Sequence, residues 1–95
     1  VNLPYGMKFN YKGFEDRFNR MALALGLGND KGDQVVEYLS DLNGKLGLPT
    51  KLSDIGVKES HIEELSALAE ADFCHPNNPK PVSKEDFERL YREAL

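Results

Sequence analysis

The stretch Gly32-Asp33-Gln34-Val35-Val36-Glu37-Tyr38-Leu39-Ser40-Asp41-Leu42-Asn43-Gly44-Lys45-Leu46-Gly47-Leu48-Pro49 sets the fold class. Val35, Val36, Leu39, Leu42 and Leu46 recur at the spacing that lines one side of an α-helix. Gly47 ends the run because glycine enters left-handed backbone without steric penalty, and Pro49 cannot continue a helix. A helix over 32–46 is expected, and the rest of the chain repeats its rhythm.

Upstream, Phe14, Phe18, Met21, Ala22 and Leu25 form a second stripe, stopped by Gly26. Downstream, Leu52 to Ile55 reads as a single turn closed by Gly56. A third helix is expected to begin near Ser60, with Ser60 and Glu63 at capping-box spacing. Its apolar stripe is Ile62, Leu65, Leu68, Ala69 and Phe73. Pro76 and Pro79 then predict an extended crossing. A fourth helix starts at Ser83 with Asp86 as capping partner and Val82 and Phe87 as a hydrophobic staple; Phe87, Leu90, Tyr91 and Ala94 form its apolar face. The first ten residues, with Leu3, Met7 and Phe9, read as the tail of a further helix. No segment alternates as a half-buried strand would. The fold class is therefore all-α: a compact bundle of four to five short helices.

Composition narrows the function classes. The 95 residues carry 16 acidic and 12 basic side chains, a net charge of −4. The bases are scattered, so the concentrated positive surface that nucleic acid requires is missing. No apolar run approaches the roughly 20 residues that cross a bilayer, and no secretory signal pattern is present. A single cysteine allows no internal disulfide, which fits a reducing cytoplasm. A chain of this length buries about 60–70% of its unfolded surface, which leaves a thin core. It opens at Val1 directly on an apolar segment, where a domain start is usually polar and dispensable. A fragment of something larger is the expectation.

Candidate chemistry is sparse. His61, His75 and Cys74 are the only nitrogen or sulfur donors of the kind metals favour, and Cys74 and His75 are sequence neighbours, which rarely turn toward one another. His61 reads as a surface residue. Gly26-Leu27-Gly28 fits a helix cap followed by a turn better than a phosphate loop. Glu59, the pair Glu63 and Glu64, and the pair Asp86 and Glu88 sit in first helical turns, where the helix dipole favours them. The apolar stripes are read as core, with some left to dock on a larger body. What stands out is Ala71-Asp72-Phe73-Cys74-His75-Pro76-Asn77-Asn78-Pro79-Lys80-Pro81, a proline-pinned loop between two helices. Such a loop can hold a side chain in a pocket at little entropic cost, or it can be a stiff connector that merely spaces two helices.

The ordered motifs resemble one family. Leu3-Pro4-Tyr5-Gly6-Met7-Lys8-Phe9-Asn10 is similar to the "LLPHVMRFN" stretch of iron-containing (group III) alcohol dehydrogenases. The segment from Leu46 to Val57 (LGLPTKLSDIGV) resembles that family's "lGlPtrLselGv". Ala71-Asp72, Cys74, Asn78-Pro79-Lys80-Pro81-Val82 and Ser83-Lys84-Glu85-Asp86 resemble its "aDxCxxxNPRpvtkeD" ending. The resemblance spans nearly the whole chain, in order and spacing.

It implies an N-terminal α/β domain binding NAD or NADP and a C-terminal all-helical domain of dehydroquinate synthase-like type, with residues 1–95 as part of the latter. It also implies an iron or zinc ion held in the cleft between them by one Asp and three His. Those ligands belong to a stretch upstream of the first motif, so no metal ligand, nucleotide-binding domain or catalytic residue is assigned to this chain, and no cofactor is expected to bind it alone. In the full enzyme the metal would polarise the substrate oxygen while hydride passes to the nicotinamide. Cys74 is carried over as a residue lining the substrate pocket. Tyr5 stands where many members have His, and Lys80 replaces the usual Arg, keeping the charge and losing the bidentate fork.

The expected partners are the upstream part of the same enzyme, a small alcohol or aldehyde substrate and, through an exposed apolar face, other copies of the chain. Alone, the piece would be inactive. The alternative is an independent helical protein-interaction module descended from that domain.

Overall fold

The computed structural model describes residues 1–95 and contains five α-helices and no strand. They are α1 (Asn2–Tyr11), α2 (Glu15–Ala24), α3 (Val35–Lys45), α4 (Ile62–Ala71) and α5 (Lys84–Ala94). Short 3₁₀ turns at Gly32–Gln34, Leu52–Ile55, Glu59–His61 and His75–Asn77 join them. The all-helical expectation holds. The helices divide into two units, Val1–Leu48 and Pro49–Leu95.

In the first unit α1 packs on α3, and α2 packs on the 3₁₀ turn that leads into α3. Its core is Phe18, Ala22 and Val35, with Met7, Tyr11, Phe14, Leu27, Val36 and Leu39 packed around them. The Tyr11 ring meets Phe18 edge to face, with centroids 5.2 Å apart, a geometry that suits the opposed charge of ring edge and ring face. The buried stripe is narrower than its periodicity predicts. Met21 on α2 and Leu25 at its C-cap, and Leu42 on α3 and Leu46 at its C-cap, are exposed although they share the helical spacing. Two neighbours cannot cover a wide apolar face on such short helices.

The glycine stops are built as expected. At the end of α2, Gly26 has φ 78°, its N–H donates to the Leu23 carbonyl and the Leu27 N–H donates to the Ala22 carbonyl. At the end of α3, Gly47 has φ 71°, with Gly47 donating to Gly44 and Leu48 donating to Asn43. Both patterns satisfy carbonyls that a helix end leaves unpaired, through a residue in left-handed backbone.

Gly32 plays a different part. It is buried, its N–H donates to Asn19 Oδ1 at 2.9 Å, and a Cβ there would lie 2.7 Å from the Asn19 backbone nitrogen. The reading of Gly32 as a plain helix start misses this close approach to α2. The residues from Gly32 to Gln34 form a 3₁₀ turn, and the α-helix begins at Val35.

In the second unit α4 and α5 pair. Leu52, Ile62, Ser66 and Ala94 are buried, while Leu65, Ala69, Phe87, Leu90 and Tyr91 are half-buried. The stripe expected on α4 is rotated. Leu68 is 62% exposed and Phe73 85% exposed, while Ser66 is fully buried. The buried face of α4 thus runs through Ile62, Leu65, Ser66 and Ala69. The Ser66 hydroxyl has no hydrogen-bond partner. An orphaned buried hydroxyl costs about 1–3 kcal/mol. Ser66→Ala is expected to stabilise the protein by about 1 kcal/mol, raising the thermal midpoint by several degrees. A midpoint that falls would show that the hydroxyl is satisfied in solution.

Two helix starts differ in fate. At α5 the reciprocal cap forms as expected: Ser83 Oγ accepts from the Asp86 N–H at 3.2 Å, and Asp86 Oδ2 accepts from the Ser83 N–H at 3.0 Å. That backbone bond is the main reason the Asp86 carboxyl titrates below its usual value, with Arg89 and Lys80 adding smaller attractions. The folded state therefore holds this proton more weakly than the unfolded chain. The cap's stability is fully present above the ordinary Asp value of 3.8 and fades as pH falls through the depressed one.

At α4 the expected Ser60–Glu63 box is absent. A 3₁₀ turn intervenes, capped at Lys58, whose N–H donates to His61 Nδ1 at 3.0 Å while the His61 N–H donates to the Lys58 carbonyl. The first turn is wound three residues per turn, so Ser60 falls inside it rather than at its edge. Arg92 of α5 reaches Glu59 in the same turn, Nε to Oε1 at 2.9 Å.

Candidate functional site

The loop between α4 and α5 carries most of the reactive side chains noted above. It leaves α4 at Asp72, whose backbone turns extended. The Asp72 side chain folds back on the loop, and Oδ1 accepts the Cys74 N–H at 2.8 Å. This local turn, typical of a short acid two residues before its donor, places the Cys74 thiol beside a carboxylate. Each group shifts the other. The Cys74 backbone N–H chiefly, then its thiol, hold the Asp72 carboxyl below the ordinary range, helped by His75. Asp72 in turn pushes the Cys74 thiol up, first by accepting its hydrogen and then by its negative charge. Cys74 is free and exposed, and the raised pKa favours its thiol form, the weaker nucleophile.

One measurement checks this pairing. Asp72→Asn keeps an oxygen for the Cys74 N–H and removes the charge. Alkylation of Cys74 by iodoacetamide should become severalfold faster at neutral pH, and its pH profile should move toward acid. Identical profiles in the two proteins would show that Asp72 does not govern the thiol.

His75 fastens the loop at its next residue. Its Nε2 donates to the Glu70 carbonyl near the end of α4 at 2.8 Å, and its ring stands edge-on to Phe87 of α5 at 5.6 Å. From there the path departs from the expected extended crossing. His75, Pro76 and Asn77 form a 3₁₀ turn, and extended backbone resumes at Asn78. Proline fixes φ near −65°, a value that opens a 3₁₀ turn as readily as it continues an extended chain. The Asn78 amide donates to the Lys80 carbonyl at 2.8 Å and tightens the next bend. His75, Pro76, Asn78, Pro79, Lys80, Pro81 and Val82 enclose a cleft of about 310 Å³. Cys74 stands one residue before this wall and is not itself among the lining residues.

The other residues weighed for chemistry are not among those lining this cleft. His61 is a cap, and Glu59 pairs with Arg92. Asp86 caps α5 and pairs with Arg89, while Glu88 lies near Arg92. In the first unit Leu27, Gln34, Glu37, Tyr38 and Asp41 line a second cleft of about 330 Å³, which no motif in the sequence marked. No three His, Cys, Asp or Glu side chains converge. The donors of this chain do not fit an iron or zinc site of their own.

All 95 residues match the C-terminal region of the Fe-containing alcohol dehydrogenase family. The chain belongs to that family. It is 33% identical to the 4-hydroxybutyrate dehydrogenase of Cupriavidus necator, aligned over 100% of this chain and 25% of that protein. With the NADPH-dependent butanol dehydrogenase of Clostridium saccharobutylicum it shares 27% identity over 96% of this chain and 26% of the relative. With the NAD-dependent methanol dehydrogenase of Bacillus methanolicus it shares 30%, over 100% and 26% respectively. The chain thus spans about a quarter of the length of these relatives, with no helix long and apolar enough to cross a membrane.

Proposed function

We propose that this chain forms one wall of the substrate and metal cleft of an NAD(P)-dependent alcohol dehydrogenase, and that the residues holding metal and nucleotide lie upstream of it. The observation that carries this reading is the match of residues 1–95 to a C-terminal family region that makes up about a quarter of each relative. Relatives named for NAD and for NADPH support a nicotinamide cofactor of either kind, and the hydroxybutyrate, butanol and methanol for which they are named support a small alcohol substrate. Iron or zinc would serve as Lewis acid, and the enzyme would work in the cytoplasm.

In such an enzyme the nicotinamide, held by residues upstream of this chain, would supply the hydride chemistry that interconverts alcohol and carbonyl. The part of this chain is to shape and exclude. The ring of prolines from Pro76 to Pro81 presents stiff apolar surface, and His75 anchors it to both flanking helices. Cys74 would line the pocket with its proton retained. The Asp72 carboxylate raises the thiol's pKa and so lowers the small thiolate fraction that could add to an aldehyde carbonyl.

The isolated 95 residues are expected to be inactive. Incubated with short alcohols, NAD or NADP, and ferrous or zinc ion, they should give no turnover and retain no stoichiometric metal after desalting. Turnover with bound metal would overturn the reading. Leu3, Leu23, Leu46, Leu68 and Phe73 are more than half exposed, which supports self-association and dye binding by the isolated chain. A sharply melting monomer that binds no dye would favour the interaction module instead.

A further inference from the structure

We draw no further inference here: the strongest candidate, the outward face of α4 and the turn after it where Leu68 and Phe73 stand exposed, carries nothing because nothing in the structure shows what covers it.

Discussion

Gly32→Ala is expected to unfold the N-terminal unit, although it adds one methyl group. The new carbon would lie 2.6 Å from Asn19 Oδ1, 2.7 Å from the Asn19 nitrogen and 2.8 Å from the Phe18 carbonyl carbon. Two of those three atoms are backbone in the middle of α2, so no rotamer change relieves the clash. Moving α2 away would break the Gly32 to Asn19 hydrogen bond and loosen Phe18, which is 2% exposed. Overpacking usually costs 1–3 kcal/mol, and here a bond worth about 1 kcal/mol is lost as well. We expect a loss of about 3 kcal/mol or more, read as a fall in the urea midpoint and in helical ellipticity at 25 °C. Gly44→Ala is the matched control: it lies within α3 with nothing inside 4 Å of its new carbon. Better helix propensity should make that variant more stable by up to about 1 kcal/mol. If both substitutions behave alike, steric closeness at Gly32 is not what holds α2 to the turn.

Phe18→Ala should be as damaging by the opposite route. Phe18 joins Ala22 and Val35 in the buried core and carries the edge-to-face contact with Tyr11. Removing a buried phenylalanine costs about 3–5 kcal/mol, part lost transfer energy and part cavity. Domains of this size hold about 0.05–0.15 kcal/mol per residue, so the loss takes a large share of the margin. The variant should lose its near-ultraviolet tyrosine signal and melt without a cooperative transition. Phe18→Leu, which refills most of the space, should recover much of both. A Phe18→Ala protein melting within a few degrees of the parent would mean that this cluster is not the core.

The parts of this architecture that are local in sequence were legible, and the parts that depend on a distant neighbour were not. Gly26, Gly47 and Gly56 announced helix or turn ends, and each takes a positive φ with the paired backbone bonds such an end needs. The Ser83 and Asp86 cap was legible because both partners sit three residues apart. Ser60 and Glu63 have that spacing too, but a 3₁₀ turn displaced them and His61 took the role. Periodicity found α4 without showing which side would meet α5. Leu68 and Phe73 count as apolar at helical spacing, yet the pairing turned a narrow seam of Ile62, Leu65, Ser66 and Ala69 inward. Gly32 looked like any helix-opening glycine, since its constraint comes from a backbone thirteen positions away.

The candidate site divides in the same way. The proline-pinned loop stood out from composition, and its cleft is there. That Asp72 governs Cys74 follows from an acid two residues before its donor, a pattern readable in the sequence and passed over. The ring contact between His75 and Phe87 joins residues twelve apart across a loop, and no local rule foretells it.

The bond between Asp72 and Cys74 also bears on how the protein ages. Peroxide attacks sulfur as the thiolate, and an exposed loop cysteine is ordinarily an early casualty, passing through sulfenic to irreversible acids. Because the carboxylate beside Cys74 raises the pKa of its thiol, less thiolate is present and the first rung of that ladder is harder to climb. A side chain open to solvent is shielded here by charge instead of by cover.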